Sequence, residues 1–370
     1  MDEAASILFF AACFSATATL LYLAYKLEAR PAKIILTILS LVIPIVISGI
    51  RYNVGIDFPE YEKIFNNIIA GREAWDHILE PTFYLFSWIS DFLTHNSVIL
   101  FTIYAGIFVS FSYLFITKVV PRAYVPLTYF VMLLTIFPMS MNVVRQSAAV
   151  AVCAFAVWFI INKKPAKFII TVLLASTLHF SAIILLPLYL INLLFKKLDM
   201  GLKKVYITLA VVAILCILAP FILQLLAQIP ILNHYLYLSE FDQSFYVSGR
   251  LLANLFIIVL VWWFARKSIV SDRIKLIITT LLAIGICLQT IGFFMRGASR
   301  ISLYLTSLLP IVLVYLTAAE DKKYLKPIKK VTTKKYFWPI IIIAISLIYF
   351  VGICLFDNSG YDILPYQTIF

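Results

Sequence analysis

Five arginines, Arg51, Arg145, Arg250, Arg296 and Arg300, stand at the mouths of apolar segments. A guanidinium fork matches phosphate and carboxylate groups, so arginines placed this way point to an anionic ligand at a membrane rim. Arg296 and Arg300 lie four residues apart in Arg296-Gly-Ala-Ser-Arg300, with Tyr304 following. A helical turn would stack the two cations, which repel near an apolar interior unless an anion such as a diphosphate lies between them or they pair with Glu80 or Asp57. The run Asn142-Val-Val-Arg145-Gln146 spaces three polar residues for one helical face at the start of an apolar helix. Free N–H groups and the helix dipole favour an anion there. Capping by Asn142 alone would require neither Arg145 nor Gln146.

Acid–base chemistry has two candidates. His179, in Ser176-Thr-Leu-His179-Phe-Ser181, is an ionisable side chain inside an apolar stretch. Such placements are costly and mark functional sites, and imidazole moves protons near neutral pH. Asp57 belongs to Arg51-Tyr-Asn-Val-Gly-Ile-Asp57-Phe-Pro-Glu60-Tyr61, a polar pocket edge where the chain leaves the membrane. Arg51 could instead snorkel to headgroups. The aromatic run His234-Tyr-Leu-Tyr237 with Phe241, Phe245 and Tyr246 suits an interfacial belt better than a sugar platform. The acidic residues of the first long loop (Asp57, Glu60, Glu62, Glu73, Asp76, Glu80) are scattered without ligand spacing, and no metal is expected. Phosphate-loop, zinc, nucleotide and serine-elbow motifs do not occur.

The elements that must position these residues are membrane helices. Of the 370 residues, 63% are hydrophobic and 13% charged, and the mean hydropathy is +1.00. That composition excludes a water-soluble globular protein. The fold expected is all-α and polytopic, about twelve transmembrane helices in one domain over residues 1–370. The net charge of +12 is not a nucleic-acid signal. Of the 20 lysines, 19 fall in short loops that one threading puts on a single side, the cytoplasmic one by the positive-inside rule, whereas six of the ten arginines fall opposite. The five cysteines lie in apolar segments without paired spacing, so disulfides are not expected.

The threading starts outside with Ser6–Tyr25, which follows Met-Asp-Glu and is expected as a retained helix rather than a signal peptide. Ile34–Ile50 returns to a long outer loop over 51–96. Within it, Tyr61, Ile64, Phe65, Ile68 and Ile69 predict an amphipathic helix on the outer surface, and Thr82–Leu93 a short re-entrant or interfacial one. Ser97–Thr117, Ala123–Pro138 and Ser147–Ile161 alternate across the membrane. Phe168–Phe195 has lysine-rich flanks at both ends and is too short for two full crossings, which predicts two short helices meeting near His179 and Phe180. Val205–Leu226 reaches a second outer loop over 227–250. Leu251–Phe264, Leu276–Phe294, a tight outer turn at Arg296–Arg300, Ile301–Ala318 and Phe337–Phe356 follow, and a short outer tail ends the chain. The loop Glu320–Lys335 carries seven lysines, the strongest single inside signal.

The motifs Arg51…Gly55-x-Asp57…Tyr61, Glu80 entering an apolar helix, Asn142-x-x-Arg145-Gln146 and His179-Phe-Ser181 resemble, in that order, the EpsG family of Wzy-type polysaccharide polymerases. The resemblance covers roughly residues 45–190, with a looser match through Arg296–Tyr304; the C-terminal third is generic hydrophobic sequence. It implies an inner-membrane glycosyltransferase without cofactor. Such an enzyme transfers a growing glycan from undecaprenyl diphosphate onto a new lipid-linked repeat unit at the periplasmic face, yielding O-antigen, capsule or exopolysaccharide. Its partners would be the two lipid-linked glycans, the bilayer and a chain-length regulator. Arg145, Arg296 and Arg300, supported by Arg51, would stabilise the diphosphate leaving group; Arg250 is a weaker candidate. Asp57 and His179 compete as base for the acceptor hydroxyl. Tyr61, Glu80, Asn142, Gln146 and Tyr304 would hold sugars or orient an arginine. An O-antigen ligase-like transferase would use the same grip. A flippase should instead show internal repeats or midplane charges, whereas here the charges sit at one rim.

Overall fold

The computed structural model describes residues 1–72, 79–190, 272–292, 296–321, 334–355 and 362–369, with scattered positions between 207 and 263. Two compact units are distinguished, one of residues 1–159, 164–185 and 336–370, the other of residues 160–163 and 186–335.

In the first unit, α1 (Glu3–Lys26) starts where the Asp2 carboxylate accepts from the Ala5 N–H at 2.7 Å. Glu3 in its first turn and Lys26 in its last complement the dipole. α2 (Arg30–Gly49) opens at Pro31 and packs antiparallel to α1. Its outward residues Ile34, Ile35, Ile38, Leu39 and Val42 are exposed. An apolar stripe of this kind belongs against lipid rather than water. α3 (Phe58–Ile69) is followed by α4 (Pro81–Thr94) and α5 (Val98–Val119). The α4–α5 hairpin is pinned by Ser90, whose hydroxyl donates to the Asn96 carbonyl at 2.6 Å and accepts from the Leu100 N–H at 2.9 Å. α6 (Val125–Thr135), α7 (Phe137–Asn142), α8 (Val144–Ile161) and α9 (Pro165–Leu178) follow. His179 is extended, and a 3-10 segment runs over Phe180–Leu185.

The second unit contains α10 (Asp272–Ile291), α11 (Arg296–Thr306) and α12 (Leu309–Asp321). α10 and α11 form a hairpin, and a Cβ at Gly292 would stand 2.6 Å from Ser299 Cβ and 2.7 Å from its backbone N, so the turn requires glycine there. α13 (Lys334–Leu355) rejoins the first unit, setting Phe350 edge-on against Phe10 and Phe14 of α1.

Six segments among the described residues are long and apolar enough to cross a membrane: α1, α2, α5, α8, Ala298–Tyr315 and Trp338–Leu355. The chain is a helical membrane protein, and the remaining expected crossings fall on shorter helices or outside the described residues. Ala123–Pro138 is not one continuous crossing, because the helix stops at Thr135 and restarts as α7. Val205–Leu226, Leu251–Phe264 and the 227–250 loop lie outside the described residues, apart from isolated positions. α4, at 14 residues, is about 21 Å long, short of a hydrocarbon core of about 30 Å.

The first unit has two chemically different ends. At one, Lys33 and Arg122 lie 5.3 and 5.6 Å from the Tyr25 ring, and Tyr25 and Tyr113 hydroxyls meet at 3.2 Å. At the other, the tail over 362–369 docks on the start of α1 and the end of α2. Tyr366 N–H donates to Ser6 Oγ at 2.9 Å, its hydroxyl donates to the Ile47 carbonyl at 2.8 Å, and Ile369 N–H donates to the Ile50 carbonyl at 3.1 Å. The start of α1, the Arg51 loop and the tail therefore share an end, as the threading expects. The tail itself is no loose appendage: Ile363, Leu364 and Tyr366 are buried.

Candidate functional site

Glu80 is the residue around which the polar groups gather. It precedes Pro81 at the start of α4 and makes no side-chain cap to that helix. Proline at the first helical position has no N–H to be capped. The carboxylate turns to neighbours instead. Oε1 lies 2.7 Å from His179 Nδ1 and accepts the Phe180 backbone N–H at 3.2 Å; Oε2 accepts from Arg145 Nη1. Both imidazole and amide are available because α9 ends at Leu178. The His179 N–H still caps the helix on the Ala175 carbonyl, its backbone turns extended, and the next N–H, that of Phe180, is left for Glu80. Glu80 is 3% exposed, and burial alone would raise its pKa; the His179 hydrogen bond and the Arg145 charge outweigh that and bring it down to about 2. Thr82 Oγ1, on the second residue of α4, ties the same corner by donating to the Thr177 carbonyl and approaching Tyr104 Oη at 3.5 Å.

Arg145 opens α8 and lies over two ring faces, Tyr61 at 5.6 Å and Phe83 at 5.5 Å. Tyr61 comes from α3, whose buried residues Phe58, Tyr61, Ile64, Phe65 and Ile68 pack inward; Phe58 stacks on Phe101 at 5.0 Å. The periodicity that predicts an amphipathic helix is real, but its apolar face meets the helix bundle, and Ile69 stays outside that face. Burial raises the Tyr61 pKa, against the lowering influence of Arg145.

Asn142, Arg145 and Gln146 do not share one helical face. α7 ends at Asn142, Val143 has φ −84° and ψ 66°, and α8 begins afresh at Val144. The break lets Asn142 turn to the Arg51 loop, where its Oδ1 accepts the Asp57 N–H at 2.8 Å. Asn142 thereby fixes the start of α3. Gln146 is buried. Gly55 brings the loop this close. Its φ of +97° is a glycine conformation, and a Cβ there would stand 2.8 Å from the Met141 carbonyl oxygen. Its N–H donates to the Asp362 carbonyl of the tail at 2.8 Å.

Arg51 neither snorkels nor lines a pocket edge. It is 1% exposed, bonded to Ser48 Oγ at 3.1 Å, the Ser48 carbonyl and the Val54 carbonyl at 3.3 Å, with its guanidinium 4.3 Å from the Phe101 ring. Burial lowers its pKa to about 10, with Tyr61, Tyr366 and Glu62 opposing, so it stays cationic at neutral pH. Its place is that of a strut between α2, α3 and α5.

In the second unit, Arg296 is the first residue of α11. The expected outer turn at Arg296–Arg300 is therefore helical, and the two positions share a face one turn apart. Arg300 is exposed and Tyr304 is buried. Arg250 and the aromatic run from His234 to Tyr246 lie outside the described residues. Among the described residues, no three His, Cys, Asp or Glu side chains group as a metal-holding set.

The model of the EpsG family matches residues 33–368. The chain belongs to the EpsG family. No curated protein and no solved structure matches it. The EpsG match takes in the Arg51 loop, Glu80, Arg145, His179 and the docked tail, and it runs through the C-terminal third that the motifs left as generic hydrophobic sequence. Membership points to a role as a glycosyltransferase-like polysaccharide polymerase in polysaccharide biosynthesis. Sequence motifs singled out Glu80, Arg145 and His179 separately. They missed Thr82, Tyr366 and the role of the Phe180 N–H, all three of which act through hydrogen bonds that no local pattern encodes.

Proposed function

We propose that this chain joins oligosaccharide repeat units carried on undecaprenyl diphosphate, working from the extracytoplasmic side of a bacterial inner membrane. The observation that carries the reading is the buried Glu80 carboxylate with Arg145 and His179 on its two oxygens. This cluster adjoins the Arg51 loop, at the end of the first unit away from Lys33 and Arg122. Positive charge in short loops marks the cytoplasmic face, which supports an extracytoplasmic place for the cluster.

In the reaction, the anomeric C–O bond of the donor breaks and its electron pair leaves on the lipid diphosphate. The acceptor hydroxyl oxygen forms the new glycosidic bond and gives up its proton to His179 or Asp57. Fixed cations facing the departing diphosphate stabilise the charge that builds there, and Arg145 is the cation of the cluster. Positions 296 and 300 lie one helical turn apart on α11, and two arginines at that spacing are suited to a diphosphate by their chemistry. Tyr61 and Gln146 would orient Arg145 or hold sugar hydroxyls, and O-antigen, capsule and exopolysaccharide are products of this chemistry.

The test uses purified protein in nanodiscs with a defined undecaprenyl-diphosphate oligosaccharide, resolved by repeat length on a gel. The expected result is a ladder in the wild type, lost in Arg145→Ala and in Arg300→Ala. Lipid-linked sugar that changes leaflets without any ladder would overturn the polymerase reading in favour of a flippase. Transfer to a different acceptor, with a single product band, would indicate a ligase-like transferase.

A further inference from the structure

Both candidates for the base survive the sequence reading, and the hydrogen bonds around Glu80 bear on one of them, His179. Its carboxylate meets donors on both oxygens: the Phe180 N–H on Oε1 and the Arg145 guanidinium on Oε2. The Arg145 cation on Oε2 and the Phe180 N–H on Oε1 both favour the ionised carboxylate, which is an acceptor only. The remaining partner, His179 Nδ1 at 2.7 Å from Oε1, must then supply a hydrogen of its own. A neutral imidazole protonated at Nδ1 has its lone pair at Nε2. The imidazole is also the more accessible half of the pair, 21% exposed against 3% for Glu80. The Asp57 main-chain N–H fastens the start of α3 to Asn142.

We propose that His179 is the catalytic base, acting through Nε2, and that Glu80 is the positioning residue that fixes its tautomer, with Arg145 and the Phe180 N–H holding the carboxylate in register. The assignment of a base rests on the glycosyl-transfer reading above; the tautomer does not. In the reaction, the acceptor O–H bond breaks as its oxygen bonds the anomeric carbon. The proton passes to Nε2, and Glu80 stabilises the resulting imidazolium without taking its proton. Among the described residues, Glu80 faces this imidazole, Arg145 and Tyr104 act on Glu80, and Tyr61 acts on Arg145.

Glutamine at position 80 cannot reproduce the arrangement. With its oxygen toward His179 and Phe180, its NH2 faces the Arg145 guanidinium, donor against donor. Flipped, its NH2 faces the Phe180 N–H and drives His179 to the opposite tautomer.

The chain has four histidines (His77, His95, His179, His234), so nitrogen-15 histidine labelling of the whole protein in nanodiscs gives a readable spectrum, with His179 assigned by its loss in His179→Gln. The expected wild-type signal has a protonated Nδ1 and a lone-pair Nε2, and it changes to the opposite tautomer or to a mixture in Glu80→Gln. Ladder synthesis by Glu80→Gln falls by roughly a thousand-fold or more, and the limb of the wild-type pH–rate profile that reports the base shifts in it. That limb stays in place in Asp57→Asn, whatever the rate of that variant. A wild-type His179 protonated at Nε2, or a Glu80→Gln protein with unchanged tautomer and pH limb, overturns the proposal. Absence of a ladder in the wild type instead sinks the polymerase reading, and the tautomer spectrum still judges the Glu80–His179 pair.

Discussion

The Glu80–Arg145 pair predicts strong coupling in a double-mutant cycle. Glu80 is 3% exposed and Arg145 11%, so truncating either partner leaves the other charge buried and uncompensated. Breaking a buried pair in this way costs about 3–5 kcal/mol. Arg145→Ala and Glu80→Ala, if independent, would together cost about 6–10 kcal/mol. The double variant removes both charges at once. What remains is lost packing of Arg145 on Tyr61 and Phe83 and an unanswered Phe180 N–H. These terms amount to about 2–6 kcal/mol, since an unsatisfied buried donor costs about 1–3 kcal/mol and the lost ring contact a similar amount. The cycle should therefore show a coupling of about 4 kcal/mol. Unfolding in mixed detergent micelles, followed by tryptophan fluorescence and checked for reversibility, measures it. Additive single effects, within about 0.5 kcal/mol, would refute the ion pair.

Stability should also depend on pH through the same carboxyl. Its folded pKa of about 2 lies below the ordinary 4.5, so its contribution is complete above pH 4.5 and is lost as pH falls toward 2. The loss is about 3 kcal/mol; a Glu80→Ala protein whose acid unfolding curve matches the wild type would contradict it. Gly55→Ala should lose at least about 2 kcal/mol, because its Cβ meets backbone of α7 that cannot turn aside. Gly71→Ala, at φ +65° with nothing within 4 Å of the added Cβ, should lose only about 1 kcal/mol; equal unfolding midpoints for the two would remove the close approach from the argument. Tyr366→Ala should cost about 3–5 kcal/mol and Tyr366→Phe about 1 kcal/mol, read by thermal unfolding. A tail-deleted protein as stable as the wild type would show that the 362–369 clasp carries no load.

Sequence periodicity revealed what is local. The buried face of α3 was legible because Tyr61, Ile64, Phe65 and Ile68 repeat at helical spacing, and the break at His179 because lysines flank both sides of a stretch too short for two crossings. What the sequence hid is long-range. Glu80 meets Arg145 and His179 across 65 and 99 positions, Asn142 meets Asp57 across 85, and Tyr366 meets Ser6 across 360. No window of residues carries those pairings. Spacing also misled at Asn142, where the i, i+3, i+4 pattern presumed one helix and Val143 interrupts it. Arg51 looked like a rim cation because carbonyls that accept from its guanidinium are invisible in a list of side chains.

The pairing of Arg145 with Glu80 changes what an arginine here can do. At rest, Glu80 is ionised and cancels Arg145, and a His179 that acts as the proposed base adds no charge before it takes the proton, so on this proposal the cluster starts without net charge. On the proposed reaction, His179 gains a proton while negative charge builds on the departing diphosphate. The cluster then becomes cationic in step with the transition state rather than before it. Interactions that strengthen only in the transition state accelerate the reaction, whereas a standing positive charge binds substrate and product diphosphate alike. Glu80→Gln should leave the resting cluster with the uncancelled charge of Arg145. Added undecaprenyl diphosphate, the lipid product, should then inhibit the residual ladder synthesis of Glu80→Gln at lower concentration than it inhibits the wild type, even as the rate falls. A merely destabilised site would bind the product more weakly as well as turning over more slowly. Weaker product inhibition in Glu80→Gln would therefore refute a cluster that is neutral at rest and charged in the transition state.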